Sequence, residues 1–222
     1  MIDFWTRYRR NRAAVLGLCI LFVILFMAAT AHLFYPEDPF RLVGRPLSGP
    51  FSNGFILGSD SLGRDVASGI VHGAKTSLLI GLIATLVSIF IGIFFGAFAG
   101  YFGGRVDDLL MRVTEIFQTI PSFIFAILLV AIMKPSIVSI VIAIAVVSWP
   151  GVARLVRGEF LSLKNREFVQ ACHTIGMSDL RVMLREILPN CLSPIIVIGS
   201  LMVATAILIE SGLAFLGLGD PN

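Results

Sequence analysis

Long uncharged apolar runs alternate with short charged stretches along this chain, and within each run the apolar residues are continuous rather than striped. A helix that is apolar all round belongs in lipid, and about 20 such residues cross about 30 Å of hydrocarbon. Five segments meet that requirement with at most one ionisable group inside, at roughly 13–34, 76–102, 113–133, 135–152 and 187–209. The pattern predicts an all-α, polytopic integral membrane helical bundle. The first run is too long for a cleaved signal and no small-residue cleavage site follows it before Pro36, so it reads as a retained anchor. The organisation expected is an N-terminal segment over 1–12, the anchor over 13–34, a loop over 35–75 and a core over 76–222.

One charged, amphipathic island interrupts the apolar runs, from Arg166 to Pro189. Phe168, Ala171, Cys172 and Ile175 recur there at helical spacing and give one apolar face; Lys164, Arg166, Glu167 and Gln170 fall on the other side. The spacing predicts a short helix over about 164–176, ended by Gly176 in the left-handed conformation and followed by a second helix capped by Ser178 or Asp179. The result is a helical elbow. Its apolar face fits either a groove on another protein or the surface of a lipid leaflet. The face is narrow and lacks large flanking aromatics, which favours the groove.

Composition agrees with the pattern: hydrophobic residues make up 57% of the chain and charged ones only 14%, more apolar than a soluble core of this length needs. The net charge of +3 reflects where the basic residues sit. With the N-terminus in the cytoplasm, twelve of the 17 basic residues face inward, in the N-terminal segment, at Arg105, Arg112, Arg154 and Arg157, and along the elbow. That bias selects the N-in topology and puts the elbow in the cytoplasm. No soluble face gathers basic and base-reading residues, so no nucleic-acid partner is expected. Cys19, Cys172 and Cys191 lack the pairing of a disulfide framework or a metal site, and His32, His72 and His173 fall on different elements, so no metal is expected. No serine, histidine and aspartate stand in a nucleophile-elbow or zincin pattern, so no catalytic residue is assigned.

Four further features suggest roles. The loop before the second run is broken by prolines and glycines and ends in LGSDSLGRD, where Asp60, Arg64 and Asp65 make either a solvated turn of local charge pairs and turn hydrogen bonds, or a gate or partner contact outside the membrane. Gly92, Gly96 and Gly100 recur every four residues, the spacing at which membrane helices approach closely, within one chain or between two. Gly73 to Thr76 imitate a phosphate-binding loop but lack its second glycine, so the chain is not read as its own ATPase. Gln118, Pro121 and Glu210 are candidates for lining a polar path, while Glu115 fits either that path or, the favoured reading, the membrane interface, snorkelling or paired with Arg112; Pro121 and Pro150 should bend or end their helices.

The elbow resembles the cytoplasmic loop of inner-membrane subunits of ATP-binding-cassette importers, whose pattern is Glu-Ala-Ala, three residues, Gly, nine residues, Ile, one residue, Leu-Pro. Gln170, Ala171 and Cys172 take the first three places, Gly176 follows at the right interval, and Leu188 and Pro189 close it, with Glu186 in the isoleucine place. LGSDSLGRD, GYFGGRVDDLLMRVTEIFQTIPSF, SWPGVARLVRGEFLSLKNREFV, ILPNCLSPIIV and ESGLAFLGLG together resemble the dipeptide, oligopeptide and nickel branch almost from end to end. The resemblance implies a permease of the bacterial inner membrane with six spans, five of them in this sequence. It also implies a second homologous permease subunit, two cytoplasmic ATPase subunits that bind ATP and Mg, and an extracytoplasmic substrate-binding protein. Residues Glu167, Phe168, Gln170, Ala171, Cys172, Ile175, Gly176, Leu188 and Pro189 would couple to the ATPase, with short peptides as substrate and a nickel chelate as the alternative. A membrane receptor or scaffold, or an intramembrane enzyme, are the readings of other classes; co-purification with a soluble ATPase separates them from the importer.

Overall fold

The computed structural model of the protein describes residues 8–52 and 54–219, which are helices and connecting loops with one isolated antiparallel bridge between Ser59 and Asp65. Arg7, counted above among the inward basic residues, and Asp220 to Asn222 lie outside the described residues. The chain divides into two compact units, Met1–Leu78 and Leu79–Asn222, with the boundary inside one long helix.

In the first unit, α1 (Arg12–Phe34) starts at Asn11, whose side-chain oxygen accepts from the amides of Ala13 and Ala14 at 3.1 and 3.2 Å. The loop that follows is shorter than the sequence suggests. α2 (Val66–Phe102) begins ten residues before the expected span, because Asp65 caps it by accepting from the Ala67 amide at 2.9 Å. Gly69, Gly73 and Lys75 hide this first part from a hydropathy reading, and the imitation phosphate loop is plain helix. At 37 residues, α2 is about 55 Å long, far more than a bilayer requires.

The second unit adds α3 (Gly104–Ile116), α4 (Ser122–Met133), α5 (Ile137–Leu163), α6 (Glu167–Thr174) and α7 (Asp179–Leu218). Two expectations are corrected. The third run is not one helix: α3 ends at Ile116 and α4 starts after Pro121, which has no amide to give and restricts the residue before it. α4 alone, at 12 residues, is about 18 Å long and too short to cross. Among the described residues, four helices, α1, α2, α5 and α7, are long and apolar enough to span. The fifth run is not separated from the elbow either, since α7 runs through Pro189 without a break. A proline there removes one backbone donor and crowds the preceding turn; the turn widens, and the Leu188 amide reaches back to the Met183 carbonyl in a π-type turn over Met183–Ile187. Pro150 lies inside α5 and Pro194 inside α7, and neither ends its helix.

The glycines at four-residue intervals set the packing. A methyl group on Gly92 would lie 2.4 Å from Val152 Cβ, one on Gly96 2.4 Å from the Ala153 carbonyl oxygen, and one on Gly100 2.6 Å from Phe160 Cβ. The matching numbers rise together, so α2 and α5 run parallel with their backbones in contact. Gly81 meets Val203 and Ile207, and Gly199 meets Ile89, so α7 runs antiparallel to α2. Two parallel spanning helices in one chain require a return between them, and α3, the turn at Phe117–Pro121 and α4 supply it. Val152, Val156 and Phe160 form one core with Val169, Val182 and Ile187; Ile140, Ala143 and Ile144 form a second with Ala126 and Val130 of α4.

Gly96→Val should force two backbones apart. A destabilisation of about 2 kcal/mol or more is expected from overpacking against main chain, seen as a lower thermal midpoint in detergent. Gly158→Ala, on an open face of α5 with nothing within 4 Å, should leave that midpoint unchanged or raise it.

Candidate functional site

The elbow is built by its backbone first. Gly176, at φ +81, closes α6 in a Schellman arrangement: its amide donates to the His173 carbonyl at 2.9 Å, and the Met177 amide donates to the Cys172 carbonyl at 3.0 Å. Met177 and Cys172 then pack on the same core, the apolar contact that accompanies such a turn. Ser178 stands at the N-cap of α7, but neither it nor Asp179 caps with its side chain as the sequence suggests. The Asp179 carboxylate is taken instead by Tyr101, at the end of α2, whose hydroxyl donates to it at 2.7 Å.

α6 presents two faces. Val169 is wholly buried and Cys172 half-buried against Phe160, Val182 and Met183, so this side faces the bundle. Phe168, Ala171 and Ile175 face away, Ile175 with 77% of its surface exposed. Cys172 is therefore corrected from the outward face to the inward one, and Val169, which the residue-type pattern passed over, is its anchor. Glu167, Gln170 and Gly176 are exposed with the outward side, and Leu180 and Leu184 extend the exposed apolar residues onto α7. Leu188 packs inward and Pro189 is exposed.

Beside the elbow's end of α5 lies an ion pair that no local spacing announces. Arg157 donates to both carboxylate oxygens of Asp107, at 2.5 and 2.6 Å, and ties α5 to α3. It borders an open cavity of about 600 Å³ that also takes in Asp108, Arg112, Glu115 and Arg154. Glu115 and Arg112, for which a pair is one of the interfacial arrangements expected, both line this cavity and make no ion pair with each other; Arg157 pairs with Asp107, and Arg41 with Glu37. Gln118 and Pro121 stand in the exposed turn between α3 and α4, and Glu210 is half-buried on α7 near Gly212, which meets the Phe123 ring. Among the described residues, no three metal-ligating side chains converge.

In the first unit, LGSDSLGRD is locked onto residues 43–48. Gly58 and Gly63 both have positive φ, and a side chain on either would meet a carbonyl oxygen, of Ser48 or Gly44, at 2.3 Å. Asp60 accepts from the amides of Leu62 and Arg64 at 2.8 Å each, and Asp65 caps α2. Arg64 lies over the Phe40 ring at 5.3 Å. The turn hydrogen bonds expected here form, and the two aspartates hold backbone; the Arg64 guanidinium makes no direct ion-pair contact with either and acts on Asp60 only through its nearby charge. The Arg64 amide, followed by the Leu62 amide and the Arg64 charge, keeps the Asp60 carboxyl below its ordinary range.

Comparison with known proteins gives a consistent picture. The binding-protein-dependent transport system inner membrane component family matches residues 92–221, and the N-terminal TM domain of oligopeptide transport permease C matches residues 1–47. The chain is 41% identical to a di/tripeptide transport system permease protein of Pseudomonas aeruginosa, over 98% of this chain and 74% of the relative. It is 44% identical to an oligopeptide transport system permease protein of Salmonella typhimurium, over 98% and 72%, and 39% identical to a dipeptide transport system permease protein of Bacillus subtilis, over 98% and 68%.

Two predictions follow from these geometries. Asp107→Asn should cost about 1–3 kcal/mol by weakening a partly buried charged pair, measured as a lower thermal midpoint, with much of the loss shared by Arg157→Gln in a double-mutant cycle. Because the folded state lowers the Asp60 pKa, its contribution is present above the ordinary carboxylate range and is lost as pH falls through the lowered value. Hydrogen-exchange protection of the Leu62 and Arg64 amides should drop on that acid limb, and Asp60→Asn should flatten the dependence.

Proposed function

The chain belongs to the family of binding-protein-dependent transport system inner membrane components and is a multi-pass inner-membrane transport permease, and on that premise we propose that it forms part of the translocation path for short peptides in an ATP-driven importer. Its partners in this reading are a second permease subunit, two cytoplasmic ATPase subunits that bind ATP and Mg, and an extracytoplasmic binding protein that delivers substrate. The peptide class rests on the names of the relatives, which are transporters of di- and tripeptides, dipeptides and oligopeptides.

The observation that carries the proposal is the division of α6 into a buried face and an exposed one. Val169 and Cys172 seat the helix on the bundle while Phe168, Ala171 and Ile175 are left open. In the importer reading, a groove on an ATPase subunit takes the open face, and closure of the ATPase pair on ATP displaces the elbow as a rigid body. The bundle then exchanges between outward-open and inward-open states, a coupling between two sites through two global arrangements. In this reading the N-terminus and the elbow are both cytoplasmic, which is supported by the loop charge bias: Arg9, Arg10 and Arg12 precede the first span, and Arg105, Arg112, Arg154, Arg157, Lys164 and Arg166 lie in or beside the stretches assigned to the same side. The charged cavity at Asp108, Arg112, Glu115 and Arg154 then opens near the cytoplasmic exit.

The test uses the complete complex in proteoliposomes. Ala171→Arg places a guanidinium in the apolar contact and should lower peptide uptake about tenfold while the subunits still co-purify. Gly176→Pro, which cannot adopt φ +81, should have a similar effect. Native uptake and native substrate-stimulated ATP hydrolysis in both variants would remove the coupling role from the elbow.

A further inference from the structure

Tyr101 meets the elbow at more points than any packing requirement explains. Its hydroxyl lies 2.7 Å from the Asp179 carboxylate and 3.3 Å from His173 Nε2, and its backbone carbonyl accepts from Lys164 Nζ at 3.4 Å. A phenol carries one hydrogen. A carboxylate only accepts, so that hydrogen goes to Asp179, and the phenolic oxygen is left as an acceptor for an Nε2–H of His173. One oxygen therefore joins the end of α6 to the start of α7, the two arms on either side of Gly176, and joins both to the end of α2. Without it, the arms would be connected by a four-residue turn with no side-chain cap on α7.

Resting on the coupling reading above, we propose that Tyr101 is a positioning residue that fastens the elbow to the second span, so that displacement of α6 is delivered to α2 and its parallel partner α5 instead of being absorbed in the turn. The position on α2 supports this. Directly after Tyr101 and Phe102, Gly103 and Gly104 take φ of +66 and +50, a pair of positions where the chain can swivel between α2 and α3. α3 is held separately, through Asp107 to Arg157. The elbow is thus tied on the α2 side of that swivel. The tie is not needed to keep the elbow on the bundle, because Val169, Val182 and Ile187 are already wholly buried there. What the hydroxyl adds is a fixed orientation of two arms, through a charge-assisted hydrogen bond stronger than a neutral one.

The experiment compares Tyr101→Phe, Asp179→Ala and Asp179→Asn in the complete complex in proteoliposomes, reading peptide delivered per ATP hydrolysed. Tyr101→Phe and Asp179→Ala should co-purify with all partners and keep substrate-stimulated ATP hydrolysis within about twofold, while the delivery ratio falls about tenfold, the lower end of what losing one hydrogen bond to a charged group gives. Asp179→Asn keeps an oxygen acceptor without the charge and should recover part of the ratio lost in Asp179→Ala, a partial rescue that a mere loss of stability would not give. A native ratio in Tyr101→Phe would overturn the proposal, as would an Asp179→Asn variant as defective as Asp179→Ala. The outcome is separable from the coupling reading itself: if Ala171→Arg uncouples and Tyr101→Phe does not, only the tie fails, whereas silence in both removes the elbow's role.

Discussion

The close parallel approach of α2 and α5 is the constraint from which the rest of the molecule follows. Between two helices in lipid there is no hydrophobic drive, so contact depends on van der Waals packing and on how near the backbones can come. Gly92, Gly96 and Gly100 remove the side chains that would hold them apart, and Val152, Ala153, Val156 and Phe160 fill the space. A parallel pair cannot be joined by a short loop. The chain must return across the membrane's thickness before α5 can start, and the broken α3–α4 segment is that return. The same arrangement brings the C-terminal ends of α2 and α5 to one side, where α6 then hangs between α5 and α7.

That side of the bundle is organised as an inner layer that is stiff and an outer layer that is open. Phe160, Val169, Val182 and Ile187 are all without exposed surface and lie on three different helices, so the elbow's back belongs to the same close-packed core as the spans. Such cores do not deform continuously; they move as bodies. The outer layer carries Phe168, Ala171 and Ile175 with exposed surface, which an interface with another protein would bury. In the proposed coupling, a stiff back behind an exposed front would carry force applied at Ile175 to α5 and α7 with little spent in side-chain rearrangement.

Much of this was legible in the residues, and the parts that were not have physical reasons. The apolar runs gave the helical class, the elbow's glycine gave a left-handed turn, and the four-residue glycine spacing pointed to a close approach, although only the structure supplies α5 as the partner. The third run was misjudged because hydropathy averages over Pro121 and cannot see that a turn begins at Phe117. The early start of α2 was hidden by Gly69, Gly73 and Lys75, which lower hydropathy without breaking a helix capped by Asp65. Cys172 was placed on the wrong face because its residue type fits either side, and an eight-residue helix gives too little periodicity to choose. The Asp107–Arg157 pair and the contacts of Tyr101 join residues fifty or more positions apart, where no local pattern reports them.

The departures of this elbow from the importer pattern sort themselves by face. Gln170 is exposed, and its amide reaches only the nearby Asn165 carbonyl at 3.4 Å, so replacing the pattern's glutamate changes charge on the side turned toward solvent or a partner. Cys172, in the place of the second alanine, is turned inward onto the same core as Met177 and Leu188, where volume and not charge is limiting, and cysteine is a small apolar step up from alanine. Glu186 falls in the widened turn before Pro189, where its carbonyl accepts from the Asn190 side chain at 2.6 Å. The wider turn gives the backbone a way past the proline that does not depend on an isoleucine side chain. The inward position 172 is thus bound by the packing of this chain, while the outward position 170 is not, so the two departures from the pattern meet different constraints: volume at 172, and in the importer reading the surface of the partner at 170.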